Sequence, residues 1–143
     1  MRVSAKAEYA CIAMLELAVN HGGLQPVPVK AIADAHGIPQ RFLVQILLQL
    51  KGNGLVVSVR GALGGYQLAR APEDISLADI VNVIDPPSQA RPAPVASPRS
   101  AAVQALRAVW KEVQSEEQRL LEETTLVGLV QRIQQTSAPS YQI

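Results

Sequence analysis

Hydrophobic and polar positions along the chain change their period several times, and each change marks an element. Between Ser4 and about Asn20, the residues Ala10, Ala13, Met14, Leu17 and Ala18 recur at helical spacing, and Gly22 with Gly23 ends the pattern. Pro26 and Pro28 introduce a second helix, roughly Val29 to His36, with Ile32 and Ala33 turned inward before Gly37 breaks it. Pro39 suits the first turn of a third helix, where its missing N–H costs nothing. Leu43, Ile46, Leu47 and Leu50 then fall at i, i+3, i+4 and i+7, the stripe of an amphipathic helix, until Gly52, Asn53 and Gly54 stop it. A shorter period follows. Val56 to Val59 and Tyr66 to Ala69 read as two strands about a loop whose Gly61, Gly64 and Gly65 relieve backbone restrictions and remove side-chain bulk.

Ser76, with Asp79 three residues on, has the spacing of a capping box for a helix reaching Ile84. From Pro86 to Pro98 five of thirteen residues are proline, so neither helix nor sheet persists and the segment reads as a linker. The longest helical pattern comes next, Ala101 to about Glu123, with Val103, Leu106, Trp110, Val113 and Leu120 spaced by threes and fours and Glu117 interrupting the seam. At about 1.5 Å per residue this helix spans roughly 35 Å, too long and one-sided to be covered by so small a domain, and a second copy of the chain is expected against it. Thr124 or Thr125 caps a last helix, Leu126 to Gln135, and the tail Thr136 to Ile143 has nothing to order it.

Composition agrees with a helical fold: aliphatic residues dominate, and Phe42, Trp110 and three tyrosines are the aromatics. A length of 143 residues allows an ordinary core without disulfides or a metal. The net charge of +1 conceals an asymmetry. Residues 1–72 hold seven Lys or Arg against three acids, and residues 73–143 six against nine, so the first half suits a polyanion and the second does not. The single cysteine, Cys11, rules out a disulfide within the chain and any thiolate cluster from one copy. With no secretory signal and no apolar run of membrane-spanning length, a soluble cytoplasmic protein with no membrane partner is expected.

Helix, turn, helix and glycine-rich hairpin together describe a winged helix-turn-helix: a mainly α fold with a small two-stranded β wing and a long C-terminal dimerisation helix. If Leu43, Ile46, Leu47 and Leu50 face the core, then Gln40, Arg41, Val44, Gln45 and, further along, Leu48 and Gln49 lie opposite. That surface is either an ordinary solvated face or a recognition face, on which Arg bonds guanine bidentately, Gln bonds adenine and Val44 touches a thymine methyl. Arg60 at the hairpin tip fits a narrow minor groove, where the negative potential is strongest. Lys6, in the first turn of helix one, can meet a phosphate, as can backbone donors near Pro28 and Val29. Double-stranded DNA is thus the expected partner.

The remaining candidates are bland. Cys11 within helix one reads as a small buried apolar residue rather than a thiol switch. His21 and His36 lie fifteen residues apart with no third ligand nearby, so no metal site is expected, and no nucleophile with a base at plausible spacing suggests an enzyme. Trp110 reads as an interface anchor rather than a ligand platform.

The opening MRVSAKAEYA, the turn and helix AIADAHGIPQRFLVQILLQL, the wing GLVVSVRGALGGYQLA, then EDISLADIVNVID and TTLVGLV resemble the Rrf-type winged-helix family of bacterial transcription regulators. The likeness is close over 1–85 and looser over 110–130. It implies a homodimer joined through the long helix and DNA contacts from Lys6, Gln40, Arg41, Gln45, Arg60 and the wing glycines Gly64 and Gly65. Members that hold an iron–sulfur cluster place three cysteines between the fourth helix and the long one, where this chain has none, so no cofactor is expected. Ala62 and Leu63 replace the family's usual Pro and Gly in the wing, and Val44 stands where several members carry Glu. The expected organisation is a DNA-binding domain over 1–85, a Pro-rich linker over 86–100, a dimerisation helix with a terminal helix over 101–135 and a flexible tail over 136–143. The expected function is that of a dimeric repressor on a palindromic operator, answering to a small molecule, a partner protein or oxidation at Cys11. The rival is an adaptor that uses the same fold to bind a partner enzyme.

Overall fold

A computed structural model describes residues 3–23, 25–87 and 99–137. Helix α1 (Ala5–Val19) starts where the Ser4 hydroxyl accepts the Ala7 N–H at 3.0 Å, and it buries Ala7, Ala10, Ala13, Met14, Leu17 and Ala18 along one stripe. Helix α2 (Val29–His36) buries Ile32 and Ala33 and ends at Gly37, whose left-handed φ of 66° suits glycine. Helix α3 (Gln40–Gly52) follows at once and buries the expected Leu43, Ile46, Leu47 and Leu50. Pro39 sits one position earlier than the sequence suggested, as the N-cap with an extended ψ of 127°. The ring is compatible with both positions, because neither needs the missing N–H.

Strands β1 (Val56–Val59) and β2 (Gly65–Leu68) pair antiparallel, Val56 opposite Leu68 and Val59 opposite Gly65. The second strand is shifted one residue towards Gly65 from its expected span. The bounds follow from the pairing with β1, in which Gly65 lies opposite Val59 and Leu68 opposite Val56. In addition, Val27 and Tyr66 exchange backbone hydrogen bonds at 2.9 Å, so the segment before α2 adds one bridge to the sheet. A 3₁₀ turn (Pro72–Asp74) leads to α4 (Leu77–Ile84), where the capping box forms in both directions, Asp79 N–H to Ser76 Oγ at 3.1 Å and Ser76 N–H to the Asp79 carboxylate at 2.9 Å.

The proline-rich segment from 88 to 98 lies outside the described residues, as does the tail from 138 on. Helix α5 (Ala101–Glu123) has the expected bounds, and Thr124 closes it while Thr125 Oγ1 accepts the Gly128 N–H at 3.1 Å inside the next helix. That helix, α6 (Leu126–Ser137), runs two residues beyond its expected end. Thr136, placed in the flexible tail by the sequence, is helical and donates its hydroxyl to the Arg132 carbonyl at 2.8 Å.

The core lies among α1, α3, α4 and α6. Met14, Ile32, Leu43, Ile46, Leu47, Leu50, Leu55, Ile75, Ile80 and Leu126 are its largest wholly buried side chains, each stabilising the fold by about 1.5–3 kcal/mol relative to exposure. Leu126 carries the C-terminal helix into this N-terminal core, fastened by its own N–H to the Ile75 carbonyl at 2.9 Å and by Leu77 N–H to the Thr124 carbonyl at 2.8 Å.

Candidate nucleic-acid interface

The core stripe of α3 fixes what the helix shows to solvent. Gln40, Arg41, Phe42, Val44, Gln45 and Leu48 are all exposed, Val44 at 40% and Leu48 at 55%. The side-chain amides of Gln40 and Gln45 make no hydrogen bond among the described residues and are available to an external partner. Arg41 lies over the Phe42 ring at 5.0 Å from its centroid, which steadies the guanidinium while leaving its donors outward. Phe42 was not singled out from the sequence. Its signal was its place one residue off the Leu43 stripe, an apolar side chain with no core position to fill. Gln49, grouped provisionally with the outward face, belongs elsewhere: it is half-buried, and its amide donates to the Val83 carbonyl of α4 at 3.1 Å.

At the wing, Arg60 is exposed at the end of β1 and makes no ion pair among the described residues. Gly61 turns the loop with φ +111°, and Gly64 N–H closes it onto the Gly61 carbonyl at 3.0 Å. A side chain on Gly64 would collide with the Val59 carbonyl, and one on Gly65 with the Val27 carbonyl and Pro28 nitrogen. Both glycines are therefore required by the hairpin's own close packing. Lys6 is exposed in the first turn of α1, as expected. These elements form one packed body, since α1 touches α3 and β2, and α3 touches β1.

No residue of helix α5 is fully buried. Val103 is half-covered, but Leu106, Trp110, Val113 and Leu120 are 50%, 55%, 41% and 59% exposed, and Val109, absent from the expected set, is 49% exposed. A groove along the helix is lined by Val109, Val113 and Leu120, with Glu112, Glu116 and Arg119 at its edges. Arg119 bridges Glu116 at 2.8 Å and Glu123 at 3.0 Å on the helix surface.

Cys11 is half-buried against the core, and burial, helped by the nearby Glu8 carboxylate, pushes its thiol up to about 11 from an ordinary 9.0. The neutral form is favoured in the fold, so this contribution to stability is complete below about pH 9 and is lost as pH rises through about 11. At pH 8 the folded chain holds about a hundredfold less thiolate than the unfolded one, and iodoacetamide should alkylate it at least that much more slowly. Equal rates in native buffer and in urea would show that burial does not protect the thiol, and a faster rate in native buffer would show an activated one.

A two-helix turn with a two-stranded wing defines the winged-helix class of DNA-binding regulators. This chain belongs to the Rrf2 family, whose model, described as an iron-dependent transcriptional regulator, matches residues 3–132. A putative HTH-type transcriptional regulator of Mycobacterium tuberculosis is 44% identical over 131 residues, covering 90% of this chain and 81% of that protein. Among solved structures, CymR (YrzC), the global cysteine regulator of Bacillus subtilis, superposes with a TM-score of 0.81 at 32% identity, covering 92% of this chain and 98% of that one. IscR of T. potens gives 0.79 at 32% identity, covering 97% and 93%. The family and these relatives are transcriptional regulators, not enzymes.

The residues present do not fit an iron–sulfur cluster. One cysteine per chain, half-buried in α1 with a raised pKa, leaves no set of thiolate donors, and no group of three His, Cys, Asp or Glu among the described residues could hold a metal ion. His36 Nε2 is instead engaged with Glu16 Oε1 at 2.8 Å, joining α2 to α1. No described helix is long and apolar enough to cross a membrane.

Proposed function

We propose that the chain acts as a homodimeric repressor that reads a palindromic operator, each copy placing the N-terminal half of α3 in the major groove and its wing in the adjacent minor groove. The observation that carries this reading is the division of labour on the surface. Gln40, Arg41, Val44 and Gln45 are exposed on a helix whose other side is locked into the core, while α5, with no buried residue, offers Leu106, Val109, Trp110, Val113 and Leu120 to a second copy.

In this arrangement Arg41 recognises guanine, Gln40 and Gln45 recognise adenine, Val44 packs on a thymine methyl, and Lys6 and Arg60 supply charge. Gly64 and Gly65 contribute by keeping the wing thin enough for its backbone to approach the duplex. Pairing through α5 doubles every contact and spaces the half-sites by one helical turn, about 34–36 Å, or a multiple of it. The signal in this reading is a small molecule in the dimer region or a partner protein, since neither a cluster nor an activated thiol is supported by the residues present.

Arg60→Ala tests the reading. Each phosphate neutralised contributes about 0.9 to the slope of log affinity against log salt, so loss of both wing arginines from a dimer should lower that slope by about 2. Affinity should fall about tenfold or more on every sequence tried. Binding that is insensitive to salt, or unchanged by the substitution, would remove the wing from the interface.

A further inference from the structure

The last turn of a helix leaves carbonyls with no intrahelical donor, and in α4 the sequence makes this worse. The donor for the Val83 carbonyl would come from position 87 and that for Asn82 from position 86, but both are proline. Asp85, held before a proline, already leaves the helix at φ −121°, ψ 80°. One of these acceptors is satisfied from another helix: the half-buried Gln49 side chain crosses from α3 and donates to Val83 O at 3.1 Å. The same end of α4 holds the start of α1, since the Ser4 N–H donates to the Asp85 carboxylate at 3.3 Å, two residues before Lys6. The final turn of α4 is thus fastened to the helix that carries Gln40, Arg41 and Gln45 and to the cap of the helix that carries Lys6. Helix α4 also packs against α5, and the connection to α5 begins immediately after its final turn.

We propose that Gln49 is a positioning residue for DNA reading: by docking α3 on the proline-terminated end of α4 it fixes the pitch of the reading helix. This rests on the DNA-reading function proposed above. Recognition side chains need supporting hydrogen bonds that hold them to within about 0.5 Å, and Gln49 supplies that support from the core side of α3.

Gln49→Met keeps the length and bulk of the side chain and removes its donor. On a duplex selected by the wild-type protein from a random pool, the variant should bind about tenfold more weakly, with its affinity for unrelated duplex unchanged, because phosphate attraction does not depend on pitch. A second variant separates positioning from simple satisfaction of the carbonyl. Adding Pro86→Ala and Pro87→Ala to Gln49→Met returns backbone donors to the end of α4 without tying it to α3. Thermal stability should recover while specific affinity stays low, and this variant also serves if Gln49→Met alone does not fold. Wild-type affinity in Gln49→Met, or recovery of specific affinity together with Tm, would overturn the role and leave Gln49 as a cap. A wild-type protein that selects no duplex would instead remove the DNA-reading function, and this inference with it.

Discussion

Val113→Asp is expected to convert the protein from a dimer to a single chain and to weaken operator binding by at least about a hundredfold. Val113 is 41% exposed on α5, beside Val109 and Leu120, in a groove that its own chain leaves open. Against a second copy that groove becomes an apolar contact, and a carboxylate there must either be stripped of water or hold the helices apart, at a cost of several kcal/mol. The effect on DNA binding exceeds the loss of one contact because the two half-sites act together: once the first reading helix is bound, the second meets its half-site at an effective concentration worth two to four powers of ten. Sedimentation equilibrium reports the mass, and fluorescence anisotropy on a labelled operator reports the affinity. A variant that stays dimeric, or a single chain that binds as tightly as the wild type, would place the subunit contact somewhere other than α5.

Leu126→Ala should destabilise the fold by about 2–5 kcal/mol, among the largest losses available to a single truncation. Leu126 is wholly buried at the start of α6, and its N–H is bonded to Ile75 O, so the cavity would open where the C-terminal helix enters the N-terminal core. For a chain of this size that corresponds to a fall in Tm of roughly 10 °C. The proposed pairing would stabilise the folded state by mass action, so wild type and variant are compared at one protein concentration. A loss below about 1 kcal/mol would mean that α6 contributes little to the core.

The two predictions address parts of the molecule that differed in legibility. The stripe Leu43, Ile46, Leu47 and Leu50 announced α3 and its buried side because helical periodicity is a local property of the sequence, and the capping box at Ser76 and Asp79 was readable for the same reason. With the stripe known, the exposed set Gln40, Arg41, Val44 and Gln45 followed by subtraction. What escaped depends on contacts between distant residues. Val27 bridges to Tyr66 and crowds Gly65, and nothing near Gly65 in sequence reveals that Val27 lies against it. Gln49 looked like another polar residue on an outward face, whereas its partner is the carbonyl of Val83, thirty-four residues away. The prolines at 86 and 87 were read as the start of a linker. Their second consequence, an acceptor left open at the end of α4, becomes visible only when α3 is seen to fill it. Leu126 was likewise assigned to a helix correctly, but its burial depends on Ile75 and the core beneath it.

Family membership fixes the class of function, and the chain's own residues limit how it can be controlled. One cysteine per chain, its thiol pushed up to about 11 by burial and the nearby Glu8, offers no set of thiolate ligands. Helix α4, which leads into the connection to α5, packs against both α1 and α3.

The most direct test is the mass of the protein–operator complex in the analytical ultracentrifuge, measured across a series of salt concentrations. Two chains should sediment with each duplex, and their affinity should fall steeply as salt rises, with a log–log slope of about 0.9 for every phosphate engaged. One chain per duplex, or an affinity indifferent to salt, would contradict the pairing of two reading helices on one operator.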